Sequence, residues 1–316
     1  MATKKPATFK PMLSATYVEG ETELRFPLLV SPKLDGFRAV VRGGVVYSKN
    51  LKPIRNPHVQ ALFGRKELNG LDGELVVGKP TGEGVFNRTS SGVTKAKGMP
   101  DVKFYVFERL DEANPSEAFK SRHTRASALV TELLLKEDTT PYDNLVVVPH
   151  PLVKTKPQLD QLEKKWLKEG FEGIMARDPE GPYKFGRSTE KEGYLWKIKR
   201  FRDGEARVVR FEEAETNTNE AKKDELGRTK RSSAKAGKVK AGTLGTIVAT
   251  DLKTGEEMRI GPGVLKADER KRLWEARDVH EGQLLVKYRV FDYGAKDTPR
   301  FPTCQGIVDQ GDLSLD

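Results

Sequence analysis

Two apolar runs, Leu28-Leu29-Val30 and Ala39-Val40-Val41, are separated by the polar stretch Ser31-Pro32-Lys33-Leu34-Asp35-Gly36-Phe37-Arg38. The first run reads as a strand. The second reads as half of a hairpin that turns at Arg42-Gly43-Gly44 and returns through Val45-Val46-Tyr47. A lysine, an aspartate, a glycine and an arginine are thereby held within six residues between apolar elements, an arrangement unlike a plain solvated face. Lys33 is expected at a strand edge, in the mouth of a sheet.

Further along, Asn56-Pro57 reads as an N-cap followed by proline at the first helical position, with Val59, Leu62 and Phe63 at helical spacing. Leu71 to Val77 returns to strand patterning, with Asp72 and Glu74 on one face and Leu71, Gly73 and Leu75 on the other. Residues 1–20 show little periodicity and are expected to lie over the surface. Residues 78–100, rich in glycine, serine, threonine and lysine, are expected as a long loop. Lys103 to Phe107 is an aromatic strand. Ser116 to Lys136 is expected to be a helix burying Phe119, Ala126, Leu129, Val130, Leu133 and Leu134. Leu145 to Val148 is a strand, and Pro157 to Glu169 a helix burying Leu159, Leu162 and Trp166. Phe171 to Ala176 is another strand, followed by a basic loop with Lys184, Gly186 and Arg187. Tyr194 to Lys199 closes this part of the chain.

Composition changes near Phe201-Arg202-Asp203-Gly204. Beyond it come short strands at 206–211, 245–249, 257–260 and 283–288, and one helix at about 266–275. A five-strand barrel of the oligonucleotide-binding type fits this order. The expected fold class is therefore α+β. Residues 1–201 form a domain of antiparallel sheets flanked by helices, and residues 202–316 a small β-barrel domain. Residues 200–203, beside Gly204, are expected to act as a hinge. Residues 216–242 hold Lys222, Lys223, Arg228, Lys230, Arg231, Lys235, Lys238 and Lys240 with no apolar period between them. They are expected to be a mobile arm that orders on meeting phosphates; the plain alternative is a loop without a role.

The 316 residues suffice for about two domains, and 36% hydrophobic with 32% charged residues suits a soluble globular protein. Lysine and arginine number 56 against 46 acidic residues, a net charge of +10 that favours a polyanionic partner, most commonly nucleic acid. Met1 to Pro6 has no apolar core, so no signal peptide is expected, and no run nears the roughly 18 apolar residues that span a membrane. Cys304 is the only cysteine, which excludes an intrachain disulfide and a cysteine zinc cluster. His58, His123, His150 and His280 are too scattered for a histidine-rich metal site. A cytoplasmic monomer is expected.

Chemistry concentrates in a few places. Lys33 can be a nucleophile only after losing a proton, and neighbouring cations favour that loss. Lys197 and Lys199, at i and i+2 on a strand, share a face and can supply such cations while holding a phosphate; Trp196 and Ile198 then face the core. Asp35, Asp72, Glu74 and Glu172 stand beside glycines at strand ends, where carboxylates hold ribose hydroxyls or magnesium. Phe107 can stack on a base or belong to the core.

Lys33-Leu34-Asp35-Gly36-Phe37-Arg38 resembles the K-x-D-G-x-R nucleotidyl-acceptor motif of covalent nucleotidyltransferases: ATP-dependent DNA ligases, RNA ligases and capping enzymes. Leu71-Asp72-Gly73-Glu74, Phe104 to Phe107, Glu172-Gly173-Ile174-Met175 and Leu195-Trp196-Lys197-Ile198-Lys199 are similar to the motifs that follow it, in order. Together they cover about residues 25–200, and the chain resembles most the small ATP-dependent DNA ligases of bacteriophages. The resemblance implies a nucleotidyltransferase (adenylation) domain and an oligonucleotide-binding domain that seal nicked duplex DNA with ATP and Mg²⁺ or Mn²⁺. It implies Lys33 as the residue that carries AMP, Asp35 as its positioning partner, and Lys197 and Lys199 on the α-phosphate. Arg38 would contact the ribose or the nick phosphate, Glu74 the ribose hydroxyls, Phe107 the adenine, and Glu172 a divalent metal. Arg187 is a further phosphate candidate. Lys49, Arg55, Arg228, Lys230, Arg231, Lys238 and Lys240 are the candidates for DNA contact.

Two departures stand out. Relatives carry Ser-Arg where this chain has Ser48-Lys49, which replaces a bidentate fork by a point charge. Near the C-terminus, Val308 stands where the family has a basic residue, leaving Arg300 or Lys296 for that task. RNA-end joining, GTP-dependent capping and a non-catalytic DNA-binding relative are the alternatives. An NAD-dependent ligase is disfavoured by the short segment before Lys33 and by the absence of four zinc-binding cysteines.

Overall fold

The computed structural model describes residues 8–82, 84–136, 142–199, 201–223, 229–232, 234–291 and 300–308. The chain divides into two compact units, residues 1–199 and 200–316.

Among the described residues, the first unit contains ten strands. They are β1 (Ala15–Thr16), β2 (Leu28–Pro32), β3 (Phe37–Arg42), β4 (Val45–Ser48) and β5 (Leu71–Val77). There follow β6 (Val102–Arg109), β7 (Leu145–Val147), β8 (Leu152–Val153), β9 (Ile174–Arg177) and β10 (Leu195–Ile198). Its helices are α1 (Pro57–Phe63), α2 (Val85–Thr94), α3 (Phe119–Leu134) and α4 (Lys156–Lys168). The strands form two five-stranded sheets, ordered β1-β10-β9-β2-β8 and β4-β3-β5-β6-β7. The consecutive strands β2 and β3 thus lie in different sheets. Lys33 to Gly36 is the crossing between them, a finer placement than the strand edge expected from sequence.

Period-two alternation assigns the central strands one face to a helix-covered core and one to the space between the sheets. On β3 and β5, Ala39, Val41, Leu71 and Leu75 join Phe104, Val106, Ala126, Val130 and Leu133 in a core covered by α1 and α3. On β2, β9 and β10, Val30, Ile174, Ala176, Trp196 and Ile198 pack with Leu159 and Trp166 of α4. Each such buried aliphatic or aromatic side chain contributes about 1.5–3 kcal/mol. The opposite faces meet through Val40 and Leu195, which share a smaller cluster with Met12 and Tyr183.

Three sequence expectations change here. Residues 78–100 are not one loop: Val85, Thr89 and Val93 recur at helical spacing and are buried, so α2 forms despite its serine, threonine and glycine. Asn56 anchors its far end, donating to the carbonyls of Gly92, Lys95 and Gly98. The segment before residue 20 does not simply cover the surface, because Met12 is 1% exposed and β1 pairs in parallel with β10. Within α3 the buried face is Phe119, Ala126, Val130 and Leu133, while Leu134 is exposed.

The second unit contains β11 (Phe201–Asn217), β12 (Ala221–Lys223), β13 (Thr229–Arg231) and β14 (Lys238–Asp251). It continues with β15 (Glu257–Ile260), α5 (Ala267–Glu275), α6 (Arg277–His280), β16 (Leu285–Phe291) and β17 (Arg300–Val308). One sheet runs β15-β14-β11-β16-β17. Its edges are tied together: Gly261 donates to the Pro302 carbonyl at 2.9 Å and accepts from the Cys304 amide at 2.9 Å. Val208, Ile247, Ile260, Val286 and Tyr288 fill its core, against which Leu273 and Trp274 of α5 pack. Val308 is buried and paired with Leu285, so it belongs to the core and not to a charged surface.

The basic stretch 216–242 is not structureless where it is described. β12 pairs with β13, and Asn217 and Asn219 donate to the Ser232 carbonyl at 2.8 and 3.0 Å. Arg228 and Lys296 lie outside the described residues, as do the side chains of Lys230 and Arg300. The hinge expected at 200–203 is strand from Phe201 onward, in register with β16. Gly204 sits opposite Tyr288, where a Cβ would lie 2.6 Å from the phenol oxygen. The glycine answers a close approach. Tyr288 is 0% exposed and donates to Asp251, so the ring has little room to retreat. Gly204→Ala is expected to lower stability by about 2 kcal/mol through overpacking; an unchanged midpoint in urea unfolding would show that Tyr288 moves aside freely.

Candidate active site

The inner faces of the two sheets leave a cavity of about 150 Å³. Alternation explains its lining. Arg38 is one step from Ala39, Glu74 from Leu75, Phe107 from Val106, Met175 from Ile174, Arg177 from Ala176, and Leu195 from Trp196. Ser31 and Lys33 enter from β2 and its continuation, and Met12 to Ser14 close the remaining wall.

Backbone pairing puts Lys33 beside Glu172. The β2–β9 register ends at Pro32 opposite Ile174 and is then extended: the Lys33 amide donates to the Gly173 carbonyl at 2.8 Å, and the Glu172 amide to the Lys33 carbonyl at 3.3 Å. Gly173 has φ +149, and a Cβ there would run into the Ile198 carbonyl. Gly36 is under a similar constraint, since its Cβ would lie 2.6 Å from Glu74 Cγ and 2.9 Å from Val76 Cγ2.

Glu172 accepts from both Lys33 Nζ and Lys199 Nζ. Burial alone would raise its carboxyl, but the two ammonium groups outweigh that and hold it below the usual range. Lys199 is itself lowered by burial and by Lys33, with Glu172 opposing, and Lys197 by burial, Arg187 and Lys33. Lys197 and Lys199 both feel the charge of Lys33. A carboxylate stands between Lys33 and Lys199, and an ammonium is no nucleophile until it has lost a proton.

Arg38 grips Asp72 with a bidentate fork, Nε to Oδ1 and Nη2 to Oδ2, both 2.6 Å. Burial opposes its charge, but Asp72 more than compensates and the guanidinium is held above its usual range. The same guanidinium stands 5.3 Å from the Phe107 ring centre. Phe107 is buried against Leu34 and Val148 yet still lines the cavity, so core packing and exposure to a ligand coexist in one ring. Glu74 shares the face of Asp72, and desolvation pushes its carboxyl up to about 7 although Arg38 and Lys33 pull it down. Asp35 is half-buried on the crossing between Lys33 and Gly36.

Other sequence candidates lie apart from the cavity. Arg187 is exposed but donates to the Ser14 carbonyl at 2.6 Å, which sets it on the rim. Lys49 and Arg55 are exposed on the surface of the first unit. In the second unit, Lys238 lies 3.4 Å from Glu215, Lys240 3.7 Å from Glu213, and Arg231 donates to the Asn219 carbonyl. Sequence reasoning missed Met12 to Ser14, Ser31, Arg177 and Tyr183. Ser31, Met175 and Arg177 could have been found by carrying the alternation through β2 and β9; Met12 to Ser14 could not, because only tertiary packing brings them to the cavity, nor could Tyr183, which only packing brings to Met12 and Asp72.

A model of the ATP dependent DNA ligase domain family matches residues 11–199, more than half of the chain. The chain belongs to that family. The crystal structure of Chlorella virus DNA ligase-adenylate is 28% identical, covers 96% of this chain and 100% of its own, and superposes with a TM-score of 0.54. A second structure of that ligase-adenylate is 30% identical, with 96% and 99% coverage and a TM-score of 0.52. A Lig E DNA ligase has a TM-score of 0.66 over 96% of this chain and 100% of its own, at 22% identity, a likeness of fold. The DNA ligase of Enterobacteria phage T4 is 23% identical over 138 residues, 43% of this chain. That match spans about a quarter of the phage protein, 26% of its length.

In this family member the raised carboxyl of Glu74 has a consequence for stability. Its folded value of about 7 exceeds the ordinary 4.5, so the native state holds a proton that the unfolded chain releases. Stability from this group is present at low pH and is lost as pH rises from about 4.5 through 7. Glu74→Gln is expected to match the parent at pH 4–5 and to exceed it by about 2 kcal/mol at pH 8, after allowing for partial exposure. Thermal melts across pH check this; a difference independent of pH would contradict it.

Proposed function

We propose that this chain is an ATP-dependent DNA ligase that seals 3′-hydroxyl/5′-phosphate nicks in duplex DNA through an AMP-carrying Lys33. The observation that carries this reading is the position of Lys33, at the crossing of two sheets. Its ammonium meets Glu172 there, in a cavity that also presents Arg38, Glu74 and Phe107. Family membership makes ATP the nucleotide.

In the proposed sequence, Lys33 Nζ first gives up a proton to solvent, then forms a bond to the α-phosphorus of ATP as the bond to the β-phosphate oxygen breaks and pyrophosphate leaves. The 5′-phosphate of the nick then displaces Lys33 and takes AMP. The 3′-hydroxyl finally attacks that 5′-phosphate and expels AMP. Each step moves negative charge at phosphorus, which fixed cations stabilise. Lys197 and Lys199 suit the α-phosphate, since burial and the neighbouring cation Lys33 act against the charge of both and an anion relieves that. A phosphate bound beside Lys33 competes with Glu172 for that lysine directly, and this competition opens the Lys33–Glu172 pair. Phe107 offers a face to adenine, Glu74 an acceptor to the ribose hydroxyls, Arg38 and Arg187 donors to ribose or phosphate, and Asp35 a partner that positions Lys33.

A divalent cation, Mg²⁺ or Mn²⁺, fits a donor set of this kind. Among the described residues there is no cluster of three or more carboxylate, histidine or cysteine ligands. Magnesium bound through one or two carboxylates and substrate phosphates needs none. Glu172 would hold it, and when bound the ion would neutralise phosphate charge.

The second unit is proposed to be an oligonucleotide-binding barrel, supported by its edge-to-edge tie at Gly261. Its basic stretch 216–242, with Arg228, Lys230, Arg231, Lys238 and Lys240, is proposed to meet DNA phosphates, as are Lys49 and Arg55. Among the described residues no helix is long and apolar enough to cross a membrane. A monomer in the cytoplasm completes the proposal.

Incubation with α-labelled ATP is expected to label the parent protein covalently, and Lys33→Ala to abolish both the label and sealing of an unadenylylated nick while DNA binding persists. Sealing by Lys33→Ala would remove that lysine from the mechanism. Label taken from GTP but not from ATP would turn the assignment to capping.

A further inference from the structure

We propose that Tyr183 is a positioning residue of this site, its hydroxyl fastening the Met12 wall of the cavity to Asp72 and, through Asp72, setting Arg38. The inference rests on the proposed reading of the cavity as the nucleotide site.

Tyr183 lies between β9 and β10 and is 2% exposed. A buried phenol needs partners for its oxygen. This one accepts from the Met12 amide at 3.1 Å and donates to Asp72 Oδ2 at 2.6 Å. The ring is held as well: Phe9 stacks on it at 6.3 Å, the Arg122 guanidinium lies 5.5 Å from its centre, and its own amide donates to Pro115 at 2.7 Å. The hydroxyl is therefore a fixed point.

What it fixes faces the cavity on two sides. Asp72 is 1% exposed, so its carboxylate is oriented by protein donors and not by water. Those donors are Arg38 Nε on Oδ1, and Arg38 Nη2 together with Tyr183 on Oδ2. With Nε and Nη2 committed, the fork leaves Nη1 for a ligand, and Arg38 lines the cavity beside Phe107. On the other side, Met12 begins the segment whose residues Leu13 and Ser14 line the same cavity. One hydroxyl thus links a strand of one sheet to a segment that carries no periodicity of its own. Without it the Met12 amide loses its acceptor, and Asp72 is left with the Arg38 fork alone, free to tilt together with the guanidinium.

A packing role alone would lower stability and leave the Arg38-dependent chemistry intact, so the test reads that chemistry. Single-turnover lysine adenylylation, and sealing of a pre-adenylylated nick, are to be timed for the parent, Tyr183→Phe, Arg38→Ala and the double variant. In whichever step Arg38→Ala is slow, Tyr183→Phe is expected to be slower than the parent by about tenfold, the effect of one lost hydrogen bond to a charged group. The double variant is expected to be no slower than Arg38→Ala. Amide exchange at Met12 should accelerate in Tyr183→Phe. Parent-like rates for Tyr183→Phe, rate losses that multiply in the double variant, or an Arg38→Ala protein slowed in neither step would each overturn the proposal. Absence of any adduct in the parent protein would instead overturn the ligase reading, and this inference with it.

Discussion

The first unit depends on one backbone event, the passage of the chain from one sheet to the other between Pro32 and Phe37. Each sheet has its own helix-covered core, and four residues connect them. The passage is fixed by the hydrogen-bonded steps that carry β2–β9 pairing one residue further, to Lys33 and Gly173. It is fixed again by Gly36, whose lack of a Cβ lets the chain press against β5. A lysine at this point cannot drift with a loop. Its backbone is part of a ladder, and only its side chain is free to respond to a ligand.

Around that point the inner faces carry charge where ordinary sandwich packing would place apolar side chains. Arg38 with Asp72, and Glu108 with Arg122 at 2.6 Å and Arg177 at 2.8 Å, are buried pairs whose desolvation consumes much of what they gain. Their contribution is to position. Arg38 and Arg177 flank Phe107 at 5.3 and 5.9 Å, and His123 contacts the Phe107 carbonyl through Nδ1 at 2.7 Å. A ring held from two sides and at its backbone presents one constant face to the cavity. Glu172 is different in kind: it is shared between two lysines, so an anion that draws off either of them leaves the carboxylate to the other.

The second unit follows simpler rules. A sheet whose edge strands are joined at Gly261 needs small residues where backbone and ring approach closely, and Gly204 under Tyr288 is such a place. Asp251 is buried under Tyr288, while many of its other charged residues are exposed, several of them on the long β11–β14 pair. Val308 belongs to the inside of this unit, which explains why a basic side chain would not be accommodated there.

The sequence by itself determined most of the strands, though not β1, β8, β12, β13 or β17, together with most of the helices and the identity of the charged residues that gather around Lys33. Those follow from local period and turn chemistry, which act over a few residues. It also carried the family resemblance, since the motifs are contiguous. It did not reveal α2, because serine, threonine and glycine mask a helical period that tertiary burial of Val85, Thr89 and Val93 supports. It did not reveal that β2 and β3 part company, because a strand's pattern shows which face is apolar but not which sheet receives it. Nor could it pair Lys33 with Glu172 across 139 positions, or Tyr183 with Asp72 across 111. Contacts of that separation are set by how two sheets pack, and only the folded chain decides them.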